Sequence, residues 1–136
     1  MRNMVLFGVM VFVTSGLTRC QGQSAPPLTA VNITGVQSPA GNEAIPSGAL
    51  STRRDHGGNY IDVTVVERGY SSWRSAQLNG ANMQLVSRTP VVTSGRVTGW
   101  VNRFRYSGFT RGGRFVFRAT SATFPFRTLS TYINIR

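Results

Sequence analysis

The residues best suited to ligand binding are arginines that alternate with apolar residues in two segments, 97–106 and 113–120. Alternation along a strand places four of them on one face, with aromatic side chains on the other: Arg103, Arg105, Arg114 and Arg118. Guanidinium groups bind carboxylates and phosphates through paired hydrogen bonds. We therefore predict a hairpin whose arginine face binds anionic groups. The alternatives are a solvated face without a ligand, and a different strand register that scatters the arginines.

A second candidate is the segment 53–59, which contains the only histidine. A carboxylate such as Asp55 can orient an imidazole such as His56 as a general base, and Ser47 or Ser51 would then be the nucleophile. However, adjacent residues rarely face each other, and no G-x-S-x-G motif accompanies them. We favour a structural loop in which Asp55 accepts hydrogen bonds from backbone amides. A small hydrolase centred on Asp55 and His56 is the alternative.

The small number of acidic residues limits other chemistry, since the chain has only Glu43, Asp55, Asp62 and Glu67. A glycosidase needs two carboxyl groups facing each other across a cleft. Parity places Asp62 and Glu67 on opposite faces of one strand. One histidine and one cysteine are also a poor basis for a transition-metal site. The sequence therefore predicts no cofactor and no metal, and favours a binding protein over an enzyme.

The charge is strongly basic, with 15 basic residues, all of them arginine, against four acids. Codon bias in a GC-rich genome would explain the missing lysines. A requirement for bidentate anion binding would explain them equally. In either case the surface field attracts anions, so we expect an anionic partner.

The N-terminus has the order of a secretory signal peptide, with Arg2, an apolar run over 4–13 and then small polar residues. Ten residues rise only about 15 Å as a helix, too little for a transmembrane anchor. We predict cleavage after Gly22 and secretion. A lipid anchor at Cys20 is the alternative, although Arg19 is unusual before a lipidated cysteine. Cleavage removes the only cysteine, so no disulfide is expected.

The rest of the chain is predicted to be a flexible lead-in over 23–27 and a single domain over 28–136. Alternation and turn residues indicate an antiparallel β-sandwich or small barrel of about seven strands. A tight hairpin is expected at Asn79-Gly80, which tolerates positive φ, and a long surface loop over 43–59. The predicted strands are 28–36, 60–68, 73–78, 83–88, 97–106, 113–120 and 129–135.

Several short motifs follow one another in an order that resembles a known family. They are Ser38-Pro39-Ala40-Gly41, Leu50-Ser51-Thr52, Asp55-His56-Gly57-Gly58, Leu78-Asn79-Gly80, Val97-Thr98-Gly99-Trp100 and Leu129-Ser130-Thr131. The family is DUF4879, a group of small secreted bacterial proteins that includes the YolA-like proteins. The resemblance covers nearly the whole chain after the leader. It implies export and a single domain, and it supplies no activity and no catalytic residues.

Export and positive charge together predict a partner outside the cell: an anionic polymer or cell surface, such as cell-wall or extracellular polysaccharide. Nucleic acid also fits the charge, with Tyr106 or Phe109 stacking on bases, but export makes it the less favoured ligand. A third interpretation is a toxin-like or structural module that binds another protein. In that case Tyr70, Trp73 and Phe109 would be exposed anchors.

Overall fold

The structure is a computed structural model that describes residues 25–109 and 111–136. The predicted signal peptide, with both interpretations of Cys20, lies outside these residues. The described residues form nine strands and no helix. These ranges therefore contain no helix that could span a membrane. The strands are β1 (Ala30–Ser38), β2 (Gly41–Ala44), β3 (Tyr60–Arg68), β4 (Ser71–Leu78), β5 (Ala81–Asn82), β6 (Gln84–Thr93), β7 (Arg96–Ser107), β8 (Gly113–Ser121) and β9 (Thr128–Ile135).

The strands form two antiparallel sheets packed as a sandwich, which confirms the predicted fold class. The larger sheet has the order β2-β1-β3-β7-β6, and the smaller sheet has the order β5-β4-β8-β9. Each of the seven predicted strands is present. The sequence did not predict β2 and β5, which have four and two residues and are too short to show alternation.

The chain passes between the sheets three times: at residues 69–70, at Met83 and at residues 108–112. The first crossing is the tightest and depends on Gly69, whose φ is 99°. A Cβ at this position would lie 2.1 Å from the Pro27 carbonyl oxygen, so a side chain cannot be accommodated. In the lead-in that was predicted to be flexible, the Pro26 carbonyl accepts a hydrogen bond from the Tyr70 amide.

The predicted turn at Asn79-Gly80 is confirmed, with φ of 51° and 83° at the two residues. The hairpin it makes is much shorter than expected, since pairing ends at Gln77 and Asn82. From Met83 the chain passes to the larger sheet, where β6 pairs with β7. The hairpin predicted at Asn79-Gly80 therefore contains only two residue pairs, and the predicted strand 83–88 pairs with β7 instead.

Between the sheets, alternate residues of the central strands form the apolar core. The ring of Phe104 in the larger sheet packs at 5.6 Å between centroids on that of Phe117 in the smaller sheet. The other fully enclosed apolar side chains of β3, β8 and β9 lie around this pair: Ile61, Val63, Val65, Phe115, Ala119 and Ile133. These side chains are all at odd-numbered positions of β3, β8 and β9. The even-numbered residues of the same strands therefore lie on the outer faces of the sandwich.

One carboxylate, that of Glu67, lies between the sheets with its side chain fully buried. Asn102 of the larger sheet donates to Oε2 at 2.9 Å, and Arg74 of the smaller sheet donates to it at 3.3 Å. Ser71 donates to Oε1 at 2.8 Å. Arg88 lies 3.7 Å from Oε2 and donates to the Asn102 side chain at 2.7 Å. Glu67 therefore links both sheets through charged and polar partners.

We expect Glu67→Gln to lower the free energy of unfolding by about 1.5–3 kcal/mol, because it replaces the buried, charged acceptor of several hydrogen bonds with a neutral amide. Arg136→Gln is the matched control, since it removes the exposed Asp55 ion pair and should cost less than about 1 kcal/mol. Urea denaturation of the two variants provides the comparison. Equal stability of Glu67→Gln and the wild type would contradict this role.

Candidate functional site

The four arginines predicted to share one face lie on opposite sides of the sandwich. β7 pairs with β3 and β6 in the larger sheet, whereas β8 pairs with β4 and β9 in the smaller one. The predicted hairpin of these two strands is therefore wrong, since residues 108–112 connect the sheets rather than neighbouring strands. Parity still holds within each strand. As a result, Arg103 and Arg105 lie on the outer face of the larger sheet, and Arg114 and Arg118 on that of the smaller sheet.

The pair on the larger sheet is already engaged by a carboxylate of the chain. Arg105 binds Asp62 through two hydrogen bonds of 2.7 and 2.9 Å, and Arg103 lies 3.4 Å from the same carboxylate. The Arg105 guanidinium also stacks on the Tyr60 ring at 4.6 Å. Hydrogen bonding to Asp62, and then the charge of that carboxylate, raise the pKa of Arg105. The negative charge of Asp62 therefore offsets part of the positive charge of Arg103 and Arg105, and less of that charge is available to a ligand.

The pair on the smaller sheet has no such counter-charge. All four acids of the chain lie in the described ranges, and none of them pairs with Arg114 or Arg118. Arg114 stacks on the Tyr132 ring at 4.5 Å and donates to Asn134 at 3.1 Å. Arg118 is exposed between Ser75 and Ser130 of the neighbouring strands.

The same outer face carries two aromatic side chains. Trp73, half exposed, is in register with Thr120, two residues from Arg118 along β8. Tyr132 is in register with Val116, between the two arginines. No strand of the smaller sheet contains an acidic residue. We call this surface the arginine–aromatic face and define it by Trp73, Arg114, Arg118 and Tyr132.

The proposed Asp55–His56 pair does not form. Asp55 is 83% exposed and pairs with Arg136 at 3.4 Å. The His56 side chain is buried and bonds through Nδ1 to the Ser38 hydroxyl at 3.0 Å and through Nε2 to Glu43 at 3.1 Å. The amide-binding role predicted for Asp55 is likewise wrong: Glu43 accepts the backbone amides of Arg53 and Arg54 at 2.6 and 3.0 Å.

Ser38, His56 and Glu43 have the composition of a hydrolytic triad, but their burial indicates a structural clamp. Ser38 is 4% exposed and His56 only 2% exposed, so the hydroxyl and imidazole have little surface open to a substrate. The clamp fixes the loop after β2 against the end of β1. Sequence reasoning missed Ser38 and Glu43 because the short strand β2, which brings them together, was not predicted.

The electrostatics of Glu43 follow from these contacts. Burial of the carboxyl acts to raise its pKa, but the hydrogen bonds from the amides of Arg53 and Arg54 and from His56 outweigh that effect. The pKa of Glu43 therefore lies below its ordinary value of 4.5. The charged form is stabilised by folding, so its contribution to stability is present above the ordinary pKa and is lost as the pH falls through the lower, folded value.

The three proposed anchors for a protein partner do not form one surface. Phe109 is 4% exposed and belongs to the core, so its predicted exposure is wrong. Tyr70 is half-buried and packs edge-on against Trp100 with 6.0 Å between centroids. Only Trp73 is exposed.

A cleft of about 630 Å³ opens between the sheets where the chain leaves the smaller sheet at Met83. Arg74 is its only charged lining residue and is already bonded to Glu67. Burial, and then the charge of Arg74, lower the pKa of the neighbouring Arg88, and Glu67 opposes this shift. The cleft therefore offers an anionic ligand less free charge than the arginine–aromatic face does. Its lining includes Trp73, Arg74, Ala76, Met83, Leu85 and Phe104.

We expect Glu43→Gln to lower the free energy of unfolding at pH 7 by about 1.5–3 kcal/mol, the contribution of hydrogen bonds to a charged group. The difference from the wild type should shrink as the pH falls below 4.5, because the carboxyl is then protonated in the unfolded chain first and in the folded chain at still lower pH. Chemical denaturation at pH 7 and pH 3 measures this. Asp55→Asn, which changes an exposed carboxylate nearby, should leave stability almost unchanged at both values. A Glu43→Gln deficit independent of pH would contradict the clamp.

Comparison with known proteins places the chain in a family but assigns no activity. No curated protein matches it. The model of one family, described as a domain of unknown function, DUF4879, matches residues 22–135. That match includes every strand of the sandwich and confirms the resemblance indicated by the short motifs. The chain belongs to the DUF4879 family.

Proposed function

We propose that this protein is a secreted binding protein that holds an acidic polysaccharide, of the cell wall or extracellular matrix, on its arginine–aromatic face. The observation that carries the proposal is the absence of any acidic residue on the four strands of the smaller sheet, which leaves Arg114 and Arg118 without a counter-charge. Without a carboxylate of the chain to pair with, both guanidinium groups can bind the anionic groups of a ligand. On the outer face of the larger sheet, by contrast, Asp62 already binds Arg103 and Arg105.

The aromatic side chains of the face favour a sugar polymer among polyanions. Stacked on Tyr132, Arg114 has its position fixed and can meet a uronate or sulfate with a small loss of conformational freedom. Trp73 presents a half-exposed ring on the same face, suited to the apolar side of a sugar. Single-stranded nucleic acid uses rings and arginines in a related way, so it is the competing ligand in the test.

The proposal is tested on heparin, an anionic polysaccharide, by the salt concentration needed for elution. We expect Arg114→Gln/Arg118→Gln to elute well before the wild type. The control is Arg68→Gln/Arg96→Gln, which removes the same charge from exposed positions on β3 and β7 of the larger sheet. Because both double variants have equal net charge, a difference between them reports the position of the arginines, and the control should elute later than Arg114→Gln/Arg118→Gln.

Co-elution of the two double variants would contradict a defined site, since net charge alone would then set retention. Fluorescence anisotropy with an alginate oligomer and a single-stranded oligonucleotide at equal ionic strength separates the two ligand classes. The proposal expects the acidic oligosaccharide to bind more tightly. Tighter binding of the oligonucleotide, lost in Arg114→Gln/Arg118→Gln, would assign the same face to nucleic acid instead.

A further inference from the structure

The loop between β8 and β9, residues 122–127, holds the two most exposed large apolar side chains of the described residues. Phe124 is 82% exposed and Phe126 is 66% exposed. Their rings meet edge to face at 6.3 Å between centroids. We call this loop the aromatic tip. Two phenylalanines held in water at one loop are costly unless a partner covers them.

The base of the aromatic tip is fixed by hydrogen bonds, so that the rings project from an ordered support. The Ser121 hydroxyl donates to the Thr123 carbonyl at 2.8 Å, and the Ser121 amide donates to the Arg127 carbonyl at 2.9 Å. The Ala122 amide donates to the Tyr70 carbonyl at 2.9 Å, which ties the loop to the crossing between the sheets. The fold therefore presents the two rings in a defined position.

The charge around the aromatic tip has one sign. Arg127 is exposed in the loop itself, and Arg68 is exposed at the end of β3, at the same end of the sandwich. The only acid at this end, Glu67, is fully buried and paired. The exposed Asp55 pairs with Arg136, which follows β9. It therefore lies about 25 Å away, the length of an eight-residue strand.

A cavity of about 430 Å³ opens at this same end, on the outer side of the larger sheet. Its lining includes Arg68, three threonines and the apolar residues Pro26, Pro27, Val66 and Val91. Arg68 is its only exposed charged residue, and guanidinium groups bind phosphate. The end of the sandwich thus combines projecting apolar rings, exposed arginines and a cavity that Arg68 lines.

From these features we propose that the aromatic tip inserts into the interface of a lipid bilayer with anionic headgroups. Aromatic side chains partition to the level of the headgroups, and arginines beside them are attracted to acidic lipids. A convex projection suits a deformable bilayer, whereas a protein hot spot requires a matching pocket. This activity uses residues outside the arginine–aromatic face and does not depend on the function proposed above.

The test is flotation of the full chain with vesicles of equal parts phosphatidylglycerol and phosphatidylcholine, and with vesicles of phosphatidylcholine alone. All variants share one N-terminus, so any contribution of residues 1–24 is equal among them. We expect the wild type to bind the anionic vesicles more strongly. Phe124→Ser/Phe126→Ser should reduce the bound fraction at least about tenfold, as the loss of two buried rings implies. Arg127→Gln should reduce binding to the anionic vesicles only.

Leu50→Ser is the matched control, because Leu50 is 57% exposed at the opposite end of the sandwich. It should float as the wild type does. Phe124→Ser/Phe126→Ser should keep wild-type retention on heparin, which separates this proposal from the polysaccharide site. Equal flotation of that double variant and the wild type would overturn the proposal. A wild type that floats with neither vesicle would also overturn it and would leave the aromatic tip to a protein partner.

Discussion

The structure depends on a buried carboxylate. Glu67 lies between the two sheets and accepts hydrogen bonds from Asn102 on one side and from Arg74 and Ser71 on the other. A charge in this position is costly unless every oxygen is paired, so the sheets are held in the arrangement that supplies those partners. The cluster also brings Arg88 onto the Trp100 ring at 4.3 Å. The polar part of the sandwich interior is therefore organised around one residue, beside an apolar core organised around Phe104 and Phe117.

The other three acids are each used by the fold or by a surface pair. Glu43 accepts the amides of a loop, Asp62 binds two arginines, and Asp55 pairs with Arg136. The chain has only these four acids against 15 basic residues, and their ion pairs within residues 25–109 and 111–136 include Arg74, Arg88, Arg103, Arg105 and Arg136. The distribution of the acids thus determines where positive charge is available. It leaves the outer face of the smaller sheet and the aromatic tip cationic, and it partly neutralises the outer face of the larger sheet.

The strands themselves were predictable, because alternation is a local property of the sequence. The parity of Arg103, Arg105, Arg114 and Arg118 was also correct within each strand. The sheet to which a strand belongs was not predictable in this way, since a five-residue connection can join neighbours in one sheet or cross to the other. Phe109 was the available signal, because a large apolar residue in such a connection indicates a link that covers the core rather than an exposed turn.

The contacts of His56 with Ser38 and Glu43 were not predicted, for a related reason. Its partners Ser38 and Glu43 are brought together by β2, a strand of four residues that shows no alternation. The role of Glu67 was not predicted either. Its position in the sequence indicates which face of β3 it lies on, but not that Arg74 of the opposite sheet contacts it. Local patterns thus predicted the fold class and the candidate arginines. Pairing between distant strands decided which arginines remain available for a ligand.

The most direct measurement of the central claim is a ¹H–¹⁵N NMR titration of the protein with a heparin oligosaccharide. The unpaired charge on the smaller sheet predicts that the largest amide shifts fall on residues 113–120 and 128–134, and that added salt reverses them. Shifts centred instead on the Asp62, Arg103 and Arg105 group, or spread evenly over all exposed arginines, would contradict the assignment of the binding site to the arginine–aromatic face.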